Sequence, residues 1–235
     1  MGSPMSGLLH NPKQSAGRRA AELVQDGMVV GLGTGSTVAY TLERLAERIR
    51  EERLSVRGVP TSLDTERKAA ALGIPLATLD DVESIDLTID GADEVDPAFH
   101  LTKGGGGALL REKVVAHASW NLAIVVGREK LVPRLGTTFL LPVEVVPFAR
   151  AAVRRELLAL GIEPVLRMRD GGVYLTDNGN QIFDCRFEDG IEDPAVMELE
   201  LDRIPGIVET GLFVAMADLI VVGDTDGGVE LLGEL

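Results

Sequence analysis

The chain has 235 residues, enough for one large domain or two smaller ones, and 45% of them are hydrophobic, enough for a substantial core. Its formal charge of −14, from 37 acidic and 23 basic residues, argues against nucleic acid and anionic membranes as partners, since both reward a basic face. A phosphorylated ligand would have to be captured by a few local cations and backbone N–H groups against that overall field. The single cysteine, Cys185, excludes an intrachain disulfide framework, suits a reducing compartment, and reads as a small core residue rather than a nucleophile. No apolar run approaches the roughly 20 residues needed to span a bilayer. Met1-Gly2-Ser3-Pro4-Met5 lacks a basic stretch followed by an apolar one, so no export signal and a cytoplasmic location are expected.

Asn11-Pro12, a cap residue followed by a first-turn proline, predicts a helix that runs to about residue 25. An apolar strand over 28–32 ends in Gly33-Thr34-Gly35-Ser36-Thr37, and a helix over 37–53 carries Val38, Leu42, Leu45 and Ile49 at helical spacing. Residues 54–59 read as strand, Ser62 caps a helix ending at Gly73, and a strand over 85–89 leads into Asp90-Gly91-Ala92-Asp93. After Lys103 and four glycines come a helix over 108–118 and a strand over 122–126. Strands alternating with helices predict an α/β fold, a Rossmann-like, mostly parallel sheet with helices on both faces. The following segment reads differently, with strands near 139–146, 164–169, 173–176, 181–187 and 207–209 and helices near 149–160 and 194–201. The expectation is an α/β catalytic domain over 1–135 and 211–235, with a smaller α+β domain over 136–210 between its parts. Residues 211–222 are apolar enough to rejoin the first sheet.

Ligands of such sheets bind beyond the carboxyl ends of the strands. Gly33-Thr34-Gly35-Ser36-Thr37 offers successive N–H groups and hydroxyls at a helix start, which suit a phosphate dianion. A tight turn capped by Ser36 or Thr37 also fits; a dinucleotide fingerprint fits less well, because its third glycine would fall at Ser36. In Asp90-Gly91-Ala92-Asp93-Glu94, two carboxylates three residues apart can face one cavity and share acid–base work on hydroxyls. A solvated, capping turn is the plainer alternative; a metal site lacks support, because His10, His100 and His117 show no ligand spacing. The third element is Lys103-Gly104-Gly105-Gly106-Gly107, followed by Glu112 about one turn into a helix. Its N–H groups can form a concave anion site, Lys103 adds charge where an oxyanion develops, and Glu112 is placed to project into the cavity. Taken alone, Glu112 would read as a first-turn acid favoured by the helix dipole.

In their order and spacing these motifs resemble the type A ribose-5-phosphate isomerase family. The likeness extends to Lys130 ahead of Leu135-Gly136, to Pro142-Val143-Glu144-Val145, to Asp177-Asn178-Gly179-Asn180 and to Val208-Glu209-Thr210-Gly211-Leu212-Phe213. It implies interconversion of D-ribose 5-phosphate and D-ribulose 5-phosphate in the pentose phosphate pathway, by a homodimer or tetramer without metal or cofactor. It implies substrate contacts from Thr34, Gly35, Ser36, Thr37, Asp90, Gly91, Ala92, Asp93, Lys103, Gly104, Gly105, Gly106 and Lys130, with Lys13 near the phosphate. Glu112 is the implied proton acceptor; Asp90 is the candidate for shuttling hydroxyl protons during ring opening, with Asp93 orienting hydroxyls or the two roles exchanged, and Lys103 meets the developing oxyanion. The departures are Gly107, in place of another small residue, and Glu129, where serine is common. A sugar-phosphate-sensing regulator on a similar sheet is a rival reading, as are an amino-sugar-phosphate deaminase and a coenzyme A transferase; the Lys103–Glu112 element argues against the two enzymes.

Overall fold

The structure, a computed structural model, describes residues 10–235; the opening segment, and with it the expectation about an export signal, lies outside the described residues. Helix α1 (Pro12–Ala21) begins on Asn11, whose side-chain oxygen accepts from the Lys13 N–H at 3.1 Å. It ends before residue 25 because the chain turns there to bury Val24. β1 (Val29–Leu32), α2 (Ser36–Glu51), β2 (Arg57–Pro60), α3 (Leu63–Ala71) and β3 (Leu87–Gly91) follow. Then come the short β4 (Glu94–Val95) and β5 (Leu101–Thr102), α4 (Leu109–His117) and β6 (Leu122–Gly127). The second half holds β7 (Leu141–Val145), α5 (Arg150–Ala159), β8 (Glu163–Leu166), β9 (Met168–Arg169), β10 (Gly172–Val173) and β11 (Gln181–Arg186). It closes with α6 (Pro194–Asp202), β12 (Ile207–Thr210), β13 (Leu212–Phe213), β14 (Leu219–Gly223) and β15 (Val229–Gly233).

The central sheet has the order β15-β14-β6-β3-β1-β2, parallel throughout except for the β14–β15 pair at one edge. Successive side chains of a strand point to opposite faces, and here both faces are dry. Ala123 and Val125 pack on the side of α1 and α2, with Val30, Leu87 and Ile89. Leu122, Ile124 and Val126 pack on the opposite side with Ala116 of α4 and Phe213. That is why 122–126 is an unbroken apolar run rather than an alternating one. The fold is α/β with helices on both faces of a mostly parallel sheet.

Residues 141–210 form a separate antiparallel sheet, β12-β7-β11-β8, whose apolar side packs with α5 and α6 around Val143, Val153, Leu157, Phe183 and Leu201. Cys185 is buried in this cluster, and burial pushes its thiol pKa up, away from nucleophilic chemistry. Several expectations need correction. The strand expected over 54–59 is Arg57–Pro60, because Leu54 and Val56 reach the core before pairing begins. The strand expected over 173–176 shrinks to Gly172–Val173, because Thr176 turns its hydroxyl to Glu144 at 2.9 Å. Of the returning segment, Leu212–Phe213 enters a small antiparallel sheet, β13-β5-β4, and only Leu219–Gly223 joins the central one. Among the described residues no helix is long and apolar enough to cross a membrane.

Candidate active site

From β1 the chain leads outward to β2 on one side and to β3, β6 and β14 on the other, so the sheet changes direction between β1 and β3. A crevice opens at the carboxyl ends of strands at such a point. The loops after β1, β3 and β6, with the segment between β5 and α4, enclose a cavity of about 150 Å³. Every residue the sequence assigned to the site lines it except Asp90.

One end is built for an anion. Gly33 lets β1 pass against Asp90, since a Cβ there would lie 2.2 Å from Asp90 Oδ1. Gly35 takes φ +127°, a conformation open to glycine, and starts α2 without a side-chain cap. The first backbone N–H groups of α2 therefore face the cavity with the helix dipole behind them. Lys13 reaches across from α1, its ammonium donating to Ser36 Oγ at 3.0 Å, and Lys130 stands on the turn after β6. Thr34 lines the wall, but its hydroxyl turns away, bonding with the hydroxyls of Thr61 and Ser62 at 2.8 Å each and Thr65 at 3.1 Å.

The other end is a buried charge cluster. Lys103, 2% exposed, holds its ammonium 3.0 Å from Asp90 Oδ2 and 3.3 Å from Glu112 Oε1, donates to the Gly91 carbonyl, and lies 5.3 Å from the centre of the Phe213 ring. Asp90 sits behind it, 1% exposed, its Oδ1 accepting from the N–H groups of Thr34 at 2.9 Å and Gly91 at 2.7 Å. Asp90 does not itself line the cavity: it belongs to β3, on the face of Thr88, and ties two loops and Lys103 together. Glu112 projects from the first turn of α4, and its Oε2 is buried without a hydrogen-bond partner. Burial pushes its carboxyl up to about 8, with the Lys103 ammonium pulling it down and the charges of Asp90 and Asp93 adding to the rise. Burial alone would lower Lys103, but the charges of Asp90 and Glu112 outweigh it, so its pKa is raised. Asp93 lines the cavity, and burial raises its carboxyl against the Gly105 N–H, Lys103, Lys130 and Arg167. Three lysines and three acids face the cavity, so its wall escapes the acidity of the whole chain.

Sequence reasoning missed Arg167, which grips the glycine loop from the end of β8, and Asp184, which holds Arg167 from β11. No local motif marks them, since they act 17 residues apart and on a loop more than 60 residues away. Glu94, read as part of the acidic loop, is fully buried and takes N–H bonds from Gly136, Thr138 and Phe139, holding the chain at the start of the second sheet. Among the described residues no group of three or more His, Cys, Asp or Glu side chains is arranged to hold a metal ion.

A family model described as ribose 5-phosphate isomerase A (phosphoriboisomerase A) matches residues 57–227. The ribose-5-phosphate isomerase A of Thermosynechococcus vestitus is 53% identical over 226 residues, covering 95% of each chain. That of Gloeobacter violaceus is 56% identical over 221 residues, covering 94% of this chain and 95% of its own. A solved structure, a D-ribose-5-phosphate isomerase in complex with phospho-erythronic acid, aligns with TM-score 0.92 at 40% identity, covering 97% of this chain and 100% of its own.

Proposed function

The chain belongs to the ribose 5-phosphate isomerase A family and is an isomerase of ribose 5-phosphate, and we propose that Glu112 is the base that moves its proton through an enediolate. The observation that carries this reading is the bare Glu112 Oε2, buried beside Lys103 in the same cavity as Asp93 and the glycine loop. The phosphate is held by the N-terminus of α2, Lys13 and Lys130, which anchors the reacting carbons at the far end. Asp93 opens the furanose ring by taking the C1 hydroxyl proton and returning one to the ring oxygen. Glu112 then removes the C2 proton, leaving negative charge on O1, and the proton returns to C1 as a hydroxyl proton passes from O2 to O1. The product is the ketose. As Glu112 gains its proton it loses its charge, and the charge lost from Oε1 reappears on the substrate. Lys103 thus exchanges one anionic neighbour for another with no net change around it. Asp90, out of the cavity, is a positioning residue for Lys103 and the two loops.

The phospho-erythronic acid of the solved relative supports this reading, since it pairs a phosphate with a planar carboxylate that resembles the enediolate. Replacing Glu112 by glutamine should lower turnover by about 10²–10⁴-fold or more while phospho-erythronic acid still binds. Turnover near the parent value would put the base elsewhere. The reaction is read as metal- and cofactor-free, so EDTA should leave the rate unchanged.

The reading extends to the rest of the molecule. Residues 136–210 act as a smaller domain beside the catalytic one, and the enzyme works in the cytoplasm, in the non-oxidative pentose phosphate pathway. It assembles as a homodimer or tetramer, supported by the large apolar side chains Phe148, Val165, Met168, Leu175 and Leu199 that residues 136–210 leave exposed. Sedimentation at micromolar concentration tests this; a monomer there would refute it.

A further inference from the structure

Four consecutive glycines have little stiffness of their own, so something must impose the orientation of their peptide planes. Arg167, just after β8 with its side chain 12% exposed, donates from one nitrogen to the carbonyl oxygens of Gly104 at 2.8 Å and Gly105 at 3.3 Å. Its remaining nitrogens grip both carboxylate oxygens of Asp184 on β11, one of them at 2.9 Å. In a trans peptide the C=O and the following N–H point in opposite directions. The Gly104 oxygen, held by Arg167 and by the Gly107 N–H at 2.9 Å, leaves the Gly105 N–H pointing the other way, where it donates to Asp93 Oδ2 at 2.8 Å. The Gly105 oxygen, drawn the same way, turns the Gly106 N–H toward the cavity that Gly106 lines. Among the described residues no protein acceptor meets that N–H.

We propose that Arg167, fixed by Asp184, is a positioning residue that aims two N–H groups of the glycine loop. The Gly105 N–H fixes the Asp93 carboxylate, and the Gly106 N–H is a donor to the substrate oxygen on which charge develops. The inference rests on the reading of Glu112 as base and of this loop as its oxyanion partner. Lysine cannot replace the arginine, because an ammonium is a point donor that cannot hold a carboxylate and two carbonyls in one plane.

The test compares R167A, R167K, D184N and E112Q by steady-state kinetics and thermal melting. Loss of one aimed donor costs about 10²–10³-fold in kcat, so R167A and R167K should lose about that, with KM changed by no more than about threefold because the phosphate is held elsewhere. D184N, which loosens the same guanidinium, should fall in the same direction by less. Millimolar methylguanidinium should restore part of the kcat of R167A. A purely structural arginine would lower the melting temperature and leave kcat per folded molecule unchanged, and that result overturns the proposal. So does a kcat loss that methylguanidinium leaves untouched. Should R167A not fold, R167K and D184N carry the same test. An active E112Q would instead sink the base assignment, whereas an inactive E112Q beside a fully active R167A sinks only the role of Arg167.

Discussion

Exchanging Glu112 for glutamine replaces one titratable group in the buried cluster with a neutral side chain of nearly the same shape. Its carboxyl titrates at about 8 in the folded protein against 4.5 for the ordinary group. Between those values the folded chain binds a proton that the unfolded chain releases, so stability falls as pH rises through this window and levels off above it. At 1.36 kcal/mol for each pH unit, the whole span is on the order of 4–5 kcal/mol. Glutamine carries no such penalty. The stability difference between Glu112→Gln and the parent should therefore be small at pH 5, grow through pH 6 and 7, and flatten above pH 8 in favour of glutamine. Urea unfolding across that pH range, with equal slopes for the two proteins, measures it directly. Parallel curves would refute the account, for they would mean that Glu112 is no harder to ionise in its pocket than in water. The same shift predicts that kcat/KM rises with pH toward about 8, as the carboxyl of the free enzyme gives up the proton that burial makes it keep.

Gly35→Ala forces a side chain into φ +127° with open space around it, so strain rather than collision results; KM for ribose 5-phosphate should rise about tenfold for a strain of about 1–2 kcal/mol. Lys13→Met removes a cation from the phosphate end alone, and inhibition by inorganic phosphate should weaken more than kcat falls. Ile124→Ala opens a hole in the middle of the central sheet, where the side chain is fully buried, and should cost about 2–5 kcal/mol in chemical unfolding.

What the sequence carried were contiguous signals. Gly33 to Thr37, Asp90 to Glu94 and Lys103 to Glu112 each concentrate their chemistry within a few residues at a strand end, and each reaches the cavity. The direction of a single side chain depends on partners far along the chain and was less visible. The Thr34 hydroxyl turns away because Thr61, Ser62 and Thr65, about 30 residues later, offer it a hydroxyl cluster. Asp90 still lies inside β3, where the two-residue alternation sets it on the face of Thr88 rather than that of Ile89; Asp93 lies beyond the strand and is free to turn inward. Strands β4, β5 and β13 have two residues each, too short for any period to register. Edge strand β15 escaped notice for another reason: Glu230 and Leu231 are both exposed there, so no alternation announces it.

Asp90 permits a sharper discrimination between shuttling protons and supporting Lys103. The substitution Asp90→Asn keeps a side-chain oxygen for the N–H groups of Thr34 and Gly91, so the two loops stay joined while the negative charge 3.0 Å from Lys103 disappears. Asp90 raises the Glu112 carboxyl by its charge, so its removal lets that pKa fall and draws Lys103 closer to Glu112 as its one remaining carboxylate at ion-pair distance. A base with a lower pKa is a weaker base. The rising limb of kcat/KM against pH should then move to lower pH while the plateau drops. A proton shuttle would add to that shift a loss of rate at every pH, dropping the plateau far more than a slightly weaker base explains. A limb that stays put, or moves to higher pH, removes Asp90 from the role of positioning the ammonium.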